Sequence, residues 1–372
     1  MYLKNIHLIN FKNFEEDKID FSQNVNCFTG NNGVGKTNIL DAIYHLSFTK
    51  SYFYNSDLHS IRHNEDFFAV HGNFVSSSED LPQKVSCILS RGKKKQMKLN
   101  DKEYDRISDH IGRFPCVMVS PYDRDIIREG SLFRRRFFDM VISQFDAVYL
   151  DNLMRYNKLM LQRNAILKKN AEIQSSDYSL LQLIDTQMVA PATDIYTKRK
   201  DFIEKFLPLF KHYFNIISNG KESVDIEYSS HLNDTDFEKL LSENFERDLF
   251  LKYTSKGVHK DDFIFYISDN LVKQYASQGQ QKSFAISLKL AQFDYTRQRI
   301  KHCPLLLLDD IFDKLDHKRV QQLINLVLND NFGQVFITDT DKERIKKMLI
   351  NINRPYKLFD VKGNKTEIYD SQ

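Results

Sequence analysis

Cysteine is scarce in this chain of 372 residues: Cys27, Cys87, Cys116 and Cys303 are widely scattered and form no C-x-x-C pair. Such spacing excludes a disulfide framework and a clustered zinc site, and leaves the four thiols to pack in the core. Nor does any run approach the roughly 20 uncharged apolar residues that a membrane helix requires. The opening MYLKNIHLINF alternates like a strand rather than reading as a signal peptide, so a cytoplasmic protein with no membrane partner is expected. Glycine is sparse as well, 12 in all, which makes any cluster of glycines informative. Neither sign of charge dominates: 53 Lys and Arg against 50 Asp and Glu leave a net +3, too little to imply a polyanionic partner. Basic residues do gather at Arg91 to Lys98 (RGKKKQMK), Arg134 to Arg136, Lys198 to Lys200 and Lys342 to Lys347. Each group reads either as solvated surface or as a phosphate-facing patch. With 41% hydrophobic residues the chain can bury a sizeable core.

Local patterning divides the chain. The first 30 residues read as strands (YLKNIHLINF, KIDFSQ, NVNCFTG), a helix begins near Thr37, and strands return in DFFAVHGNFV, KVSCILSRG and PCVMVS, which predicts a mixed sheet. From Ser131 to Ala190 neither glycine nor proline occurs, while Leu153, Met160 and Leu167, then Leu181, Met188 and Ile195, recur at heptad spacing. That pattern predicts long helices turning back within NAEIQSSDYS (170–179), a short hairpin whose arms run about 50 Å. An ordinary helical bundle is the other reading. The predicted division is 1–122 with 296–372 as one lobe and 123–295 as the other, with the arm at about 131–215.

Three motifs carry chemistry. Gly30-Asn31-Asn32-Gly33-Val34-Gly35-Lys36-Thr37 fits G-x-x-x-x-G-K-[ST] between a strand and the helical run NILDAIYHL that starts at Asn38. Such glycines let backbone N–H groups curl around phosphates, Lys36 reaches the β- and γ-phosphates, and the Thr37 hydroxyl ligates Mg²⁺. Leu305 to Leu308 followed by Asp309 and Asp310 has the form of a Walker B strand, with Asp309 for the metal's hydration shell and Asp310 for the attacking water. Ser277-Gln278-Gly279-Gln280-Gln281 precedes a helix about 30 residues before the two acids, as the ABC signature S-x-G-Q does. Ser277, Gly279 and Gln280 then form a second anion-binding surface, one that closes over ATP held by another subunit in proteins resembling this one. Asp313 to Asp316 resembles the D-loop of ABC ATPases, a likeness that implies a place for Asp316 at a dimer seam. QVFITDT puts Asp339 where ABC ATPases usually carry a switch histidine, and Asp310 replaces the usual glutamate; slow, partner-stimulated hydrolysis is expected.

Further stretches make the likeness specific. Asn10-Phe11-Lys12-Asn13-Phe14, GNNGVGKTNILDAIYHLS, ASQGQQKSFAISLKLAQ, LLLLDDIFDKLD, SPYDRDIIREGSLFRRRFFD, YNKLMLQRNAIL and GVHKDDF resemble segments of the RecF family. The resemblance implies an α/β fold of the ABC/SMC ATPase-head type, with a P-loop mixed sheet and an inserted helical lobe bearing a short hairpin. It also implies ATP and Mg²⁺ as cofactors, nucleotide contacts from Lys12 and Arg62, and a weak DNA-stimulated ATPase that forms a homodimer when ATP is bound. Double-stranded and gapped DNA, and RecO and RecR in loading RecA, are the partners it implies. Arg134 to Arg136 and Lys93 to Lys95 are the candidate DNA contacts, although the arginines could equally pair with acids in the helical lobe.

Other classes are weighed by the same residues. A transporter-type ABC ATPase normally keeps a Q-loop glutamine, where Pro121 stands here, and the switch histidine. A nuclease-linked head needs a further domain, for which the stretch after Asp339 is too short. Another ABC/SMC-type head, or a non-hydrolysing module that uses ATP only for assembly on DNA, stays open.

Overall fold

The structure, a computed structural model, describes residues 1–76, 81–173, 177–312, 317–328, 332–350, 352 and 354–371. The chain divides into two compact units. The first comprises Met1–Asp123, Ile216–Asn219 and Lys282–Gln372, the second Arg124–Asn215 and Gly220–Gln281. Residues 282–295, expected with the helical lobe, lie in the first unit. The reason is local: Phe284, Ile286, Leu288 and Phe293 are buried, and the buried Lys289 ammonium pairs with the Asp123 carboxylate at 3.1 Å.

In place of one mixed sheet the first unit holds two. One is antiparallel, in the order Phe14–Asp20, Tyr2–Phe11, Phe67–Val75, Gln83–Ser90, Gln96–Leu99, Lys102–Glu103. Its edge strand Phe14–Asp20 mixes buried and exposed positions, whereas the central Phe67–Val75 is buried over most of its length. The other runs Lys365–Ser371, Tyr356–Lys362, Val25–Thr29, Val335–Asp339, Leu305–Asp309, Cys116–Val119 and is parallel except at its first pair. Val25–Thr29, Leu305–Asp309 and Val335–Asp339 are buried throughout, which is why they read as unbroken apolar runs. In parallel sheets ligands gather at the carboxyl ends of the strands. Here those ends carry Gly30, Asp309 with Asp310, and Asp339 side by side.

The second unit contains the helical hairpin, Ala147–Ile173 against Ser179–Ser218. Three cross-links fix its antiparallel register: Arg163 Nε to Asp185 Oδ1 at 2.6 Å, Asn152 Nδ2 to Asp194 Oδ2 at 2.8 Å, and Lys198 Nζ to Asp146 Oδ2 at 2.7 Å. The buried stripe of the first arm is Tyr156, Leu159, Arg163 and Leu167, while Leu153 and Met160, predicted for it, are only half-buried. The unit is not wholly helical. Val224–Ser229, Asp262–Ile267 and Asn270–Leu271 form a small antiparallel sheet that the heptad reading passed over. Arg199, 2% exposed, binds Asp139 and Asp261 together with the Val258 carbonyl, so the hairpin is packed into the unit by ion pairs as well as by apolar contact. Among the described residues no helix is long and apolar enough to cross a membrane.

His110 offers a check on how tightly the first unit closes. Its Nε2–H donates to the Leu46 carbonyl at 2.6 Å and its Nδ1 accepts from the Tyr104 hydroxyl at 3.2 Å, the pattern of a neutral ring. Burial lowers its pKa to about 4, the hydrogen bond to the Leu46 carbonyl opposing the shift and repulsion from Arg113 adding to it. The unfolded chain therefore takes up a proton near pH 6.5 that the folded chain refuses until about pH 4. The stability of the wild type relative to His110→Gln should fall by up to about 3 kcal/mol between pH 7 and pH 4. Urea unfolding of both proteins at each pH measures it; a constant difference would mean that His110 takes up its proton at the same pH in the folded and unfolded chain.

Candidate functional site

The loop between Val25–Thr29 and the helix Lys36–Phe48 reverses the chain through Gly30, Gly33 and Gly35, with φ of 144°, 81° and 109°. At Gly30 a Cβ would come within 2.7 Å of the Val361 carbonyl oxygen, and at Gly35 within 2.4 Å of the Asn13 side chain. Glycine is required at both on two independent counts. The helix has no side-chain N-cap, so its first amides face the loop with the positive end of the helix dipole behind them.

Inside the loop Lys36 curls back, Nζ donating to the carbonyls of Gly30 at 2.7 Å and Asn31 at 2.8 Å. Burial holds its pKa below the usual lysine range, against the raising effect of Asp310, Asp309 and Asp339. The Thr37 hydroxyl donates to Asp309 Oδ1 at 2.8 Å, and the Thr338 hydroxyl donates to the same oxygen at 2.8 Å. Burial raises the Asp309 pKa, and those two hydrogen bonds oppose the rise. Asp310 follows with φ of 46°, a left-handed conformation uncommon for a non-glycine residue, its amide donating to Thr338 Oγ1 at 3.0 Å. The loop and the acid-ended strand, 272 residues apart in sequence, thus share one polar centre.

Asn13 was quoted for the family likeness but given no role, and it proves to brace the loop. Its Nδ2 donates to the Val34 carbonyl at 3.0 Å and the Gly363 carbonyl at 2.6 Å, while its Oδ1 accepts from Asn38 Nδ2 at 2.7 Å. A lone asparagine in a strand turn gives no signal of this from sequence. Lys12 is paired within the protein. Its ammonium is buried against Asp41 Oδ2 at 2.6 Å and lies over the rings of Phe53 and Tyr54. Arg62 pairs with Glu15 at 3.3 Å and Glu65 at 3.6 Å. Beside them a cleft of about 910 Å³ is lined by Lys12, Asn13, Asn38, Tyr54, His59 and Arg91 among others, a volume in the range of small-molecule sites.

In the second unit Ser277 is exposed at the start of the helix Gln278–Arg299 and forms a capping box. Its amide donates to Gln280 Oε1 at 2.6 Å and its hydroxyl accepts from the Gln280 amide at 3.3 Å. Gln280 Nε2 in turn donates to Glu222 Oε1 at 2.6 Å. Gly279 is half-exposed in the first turn. Asp316 lies outside the described residues, as does the rest of the 313–316 segment.

The basic candidates separate by environment. Arg134 binds Asp262 with two nitrogens, at 2.7 and 2.9 Å, and Arg135 donates to the Asp261 carbonyl, so both turn inward. Lys95 binds Asp57 and the Thr49 carbonyl. Arg136, Lys93 and Lys94 are exposed. No group of three or more acidic, His or Cys side chains among the described residues could cage a metal ion. The Thr37 hydroxyl beside the Asp309 carboxylate fits instead an ion held by one or two protein oxygens and completed by water and phosphate, the habit of Mg²⁺.

The family model described as RecF/RecN/SMC N terminal domain matches residues 2–367. The DNA replication and repair protein RecF of Flavobacterium johnsoniae is 45% identical over 361 residues, covering 97% of this chain and 100% of that protein. RecF of Phocaeicola vulgatus is 48% identical over 370 residues, covering 99% and 98%. The solved structure of the recombination mediator protein RecF-ATP in the RecFOR pathway has a TM-score of 0.89 at 28% identity, covering 99% of this chain and 98% of that one. An Smc head domain from Pyrococcus furiosus, with a TM-score of 0.59 at 16% identity over 100% of this chain and 96% of its own, shares the fold.

Removing the Asn13 side chain strips hydrogen bonds from Val34, Gly363 and Asn38 at once. At about 1 kcal/mol each, Asn13→Ala should lower stability by roughly 1–3 kcal/mol, and hydrogen exchange at residues 30–36 should quicken. Unchanged exchange across the loop would show that the glycines hold its shape without the brace.

Proposed function

This chain belongs to the RecF family, within the group defined by the RecF/RecN/SMC N terminal domain, and on that premise we infer that it is an ATP-dependent DNA-binding protein of recombinational repair in the cytoplasm. ATP sits with its phosphates in the loop 30–37, and its nucleoside end takes the adjoining cleft beside Asn38 and Tyr54. Two copies close on it head to head, the signature Ser277, Gly279 and Gln280 of one facing the loop of the other. Double-stranded or gapped DNA is met by exposed basic residues, with Lys93 and Lys94 the candidates in the first unit and Arg136 in the second. RecO and RecR join it in loading RecA.

The observation that carries this reading is the meeting of Thr37 with Asp309 at 2.8 Å beside a lysine already folded into a glycine loop. Lys36 exchanges two backbone carbonyls for phosphate oxygens, and the helix amides add donors without reorganisation. Thr37 and Asp309 would hold Mg²⁺, which when bound offsets phosphate charge. Asp310, held in a left-handed turn at the strand end, accepts the proton of the attacking water. An aspartate reaches less far than a glutamate, so turnover is slow. Contact with DNA rests on phosphates, so affinity falls steeply with salt and varies little with base sequence.

Sedimentation with and without ATP and gapped DNA tests the assembly: ATP should promote dimers of the wild type, and neither Lys36→Ala nor Ser277→Arg should form them. Loss of the lysine should weaken ATP binding by roughly 10- to 100-fold, the worth of one charge-assisted contact. Asp310→Asn should leave binding intact and cut ATP turnover at least about tenfold. Turnover unchanged by Asp310→Asn would favour a module that uses ATP for assembly alone.

A further inference from the structure

Asp339 poses a problem that its position sharpens. In the parallel sheet it pairs with Thr29, the residue before Gly30, while its neighbour Thr338 pairs with Asp309. It is 1% exposed, and burial raises its pKa. A third carboxylate is thus set against the loop beside Asp309 and Asp310, where an incoming triphosphate would meet further negative charge.

The structure supplies a counter-charge that was not apparent from the motif. Arg344 Nη1 reaches Asp339 Oδ2 at 3.2 Å and Nη2 lies 3.5 Å from Asp341 Oδ2. Asp341 caps the helix Lys342–Leu349 by accepting from the Arg344 amide at 3.0 Å, and Asp339 Oδ1 accepts from the Asp341 amide at 2.8 Å. Two aspartates therefore aim one guanidinium. Its side chain is 35% exposed while that of its main partner is 1% exposed, so the pair is anchored at the acid and open at the base. A surface ion pair three residues apart contributes little to stability. That describes the contact with Asp341, whereas the pair with Asp339 has a buried acid, and a lone buried carboxylate is costly.

We propose that Arg344 reads the terminal phosphate of the bound nucleotide, with Asp339 as the positioning residue that holds it there. The proposal rests on the reading of loop 30–37 as an ATP site and deepens it. A guanidinium has five N–H donors in a fixed fork, so one nitrogen can stay on Asp339 while others meet phosphate oxygens. Arg344 thereby supplies the positive charge that a switch histidine supplies elsewhere, and converts the Asp339 carboxylate from a repulsive neighbour into a support. A nucleoside diphosphate presents no terminal phosphate at that place, so the contact distinguishes ATP from ADP.

The test is the dissociation constant of fluorescently labelled ATP and ADP for the full chain, measured for wild type, Arg344→Ala, Arg344→Lys and Lys36→Ala, with thermal melting as a control. Arg344→Ala should weaken ATP about tenfold and ADP less than about twofold, the loss of a single charge-assisted contact. Arg344→Lys should recover part of the ATP affinity. Should Arg344→Ala not fold, Arg344→Gln gives the same comparison. Equal loss for both nucleotides, or a lowered melting temperature with the ATP to ADP ratio unchanged, would reduce the pair to a helix-end ion pair and overturn the proposal. Failure of the wild type to bind ATP, or full binding by Lys36→Ala, sinks the ATP site itself and is read separately from the arginine variants.

Discussion

Everything at the candidate site depends on one buried carboxylate at the end of an apolar strand. Leu305 to Leu308 are buried on both faces, so Asp309 is the first group on that strand able to hold charge. Two hydroxyls meet its Oδ1, one from the helix after the loop and one from the neighbouring strand. Had the register between Leu305–Asp309 and Val335–Asp339 slipped by one residue, Thr338 would face the other side of the sheet and Asp309 would lose a donor. Pairing in the sheet therefore decides the electrostatics of the loop.

The second unit is built on a related principle at larger scale. Segments that looked family-specific converge there on buried polar contacts: Arg134 and Asp139 from the first, Tyr156 and Arg163 from the second, His259, Asp261 and Asp262 from the third. His259 stands between the Tyr156 hydroxyl at 2.7 Å and the Thr254 carbonyl at 3.0 Å. Arg163, fully buried, is held by Asp185, Asp248 and Thr254. Buried ion pairs add little net stability compared with apolar packing, but removing one partner is expensive. Their effect here is to fix which helix residue faces which strand.

The glycine turn, the apolar strand ending in two acids and the helix start at Ser277 were legible as local structure because each depends on a short run of residue types. The α/β head fold was legible too, since motif order and patterning agree with it and the family match covers residues 2–367. Division into two sheets was not, because strands of both sheets alternate along the chain and periodicity does not say which strands pair. Heptad spacing located the hairpin but misplaced its first stripe, since Arg163 occupies a core position that a hydrophobicity rule rejects. For Arg134 and Arg135 the sequence left DNA contact and pairing with acids of the helical lobe both open, because their partners, at 261 and 262, are more than 120 residues away. Asn13 acts through contacts distant in sequence, with Val34, Asn38 and Gly363, and composition carries no trace of that.

The brace behind the nucleotide loop joins residue 13 to residue 363, and the loop's first glycine abuts the carbonyl of residue 361. On the ribosome the glycine loop emerges early, yet its supporting wall is translated more than 300 residues later. A growing polypeptide would therefore carry a complete phosphate-binding motif without the shape to use it. The glycine turn therefore takes its braced shape only once the segment around residues 361–363 has been made and has folded against it.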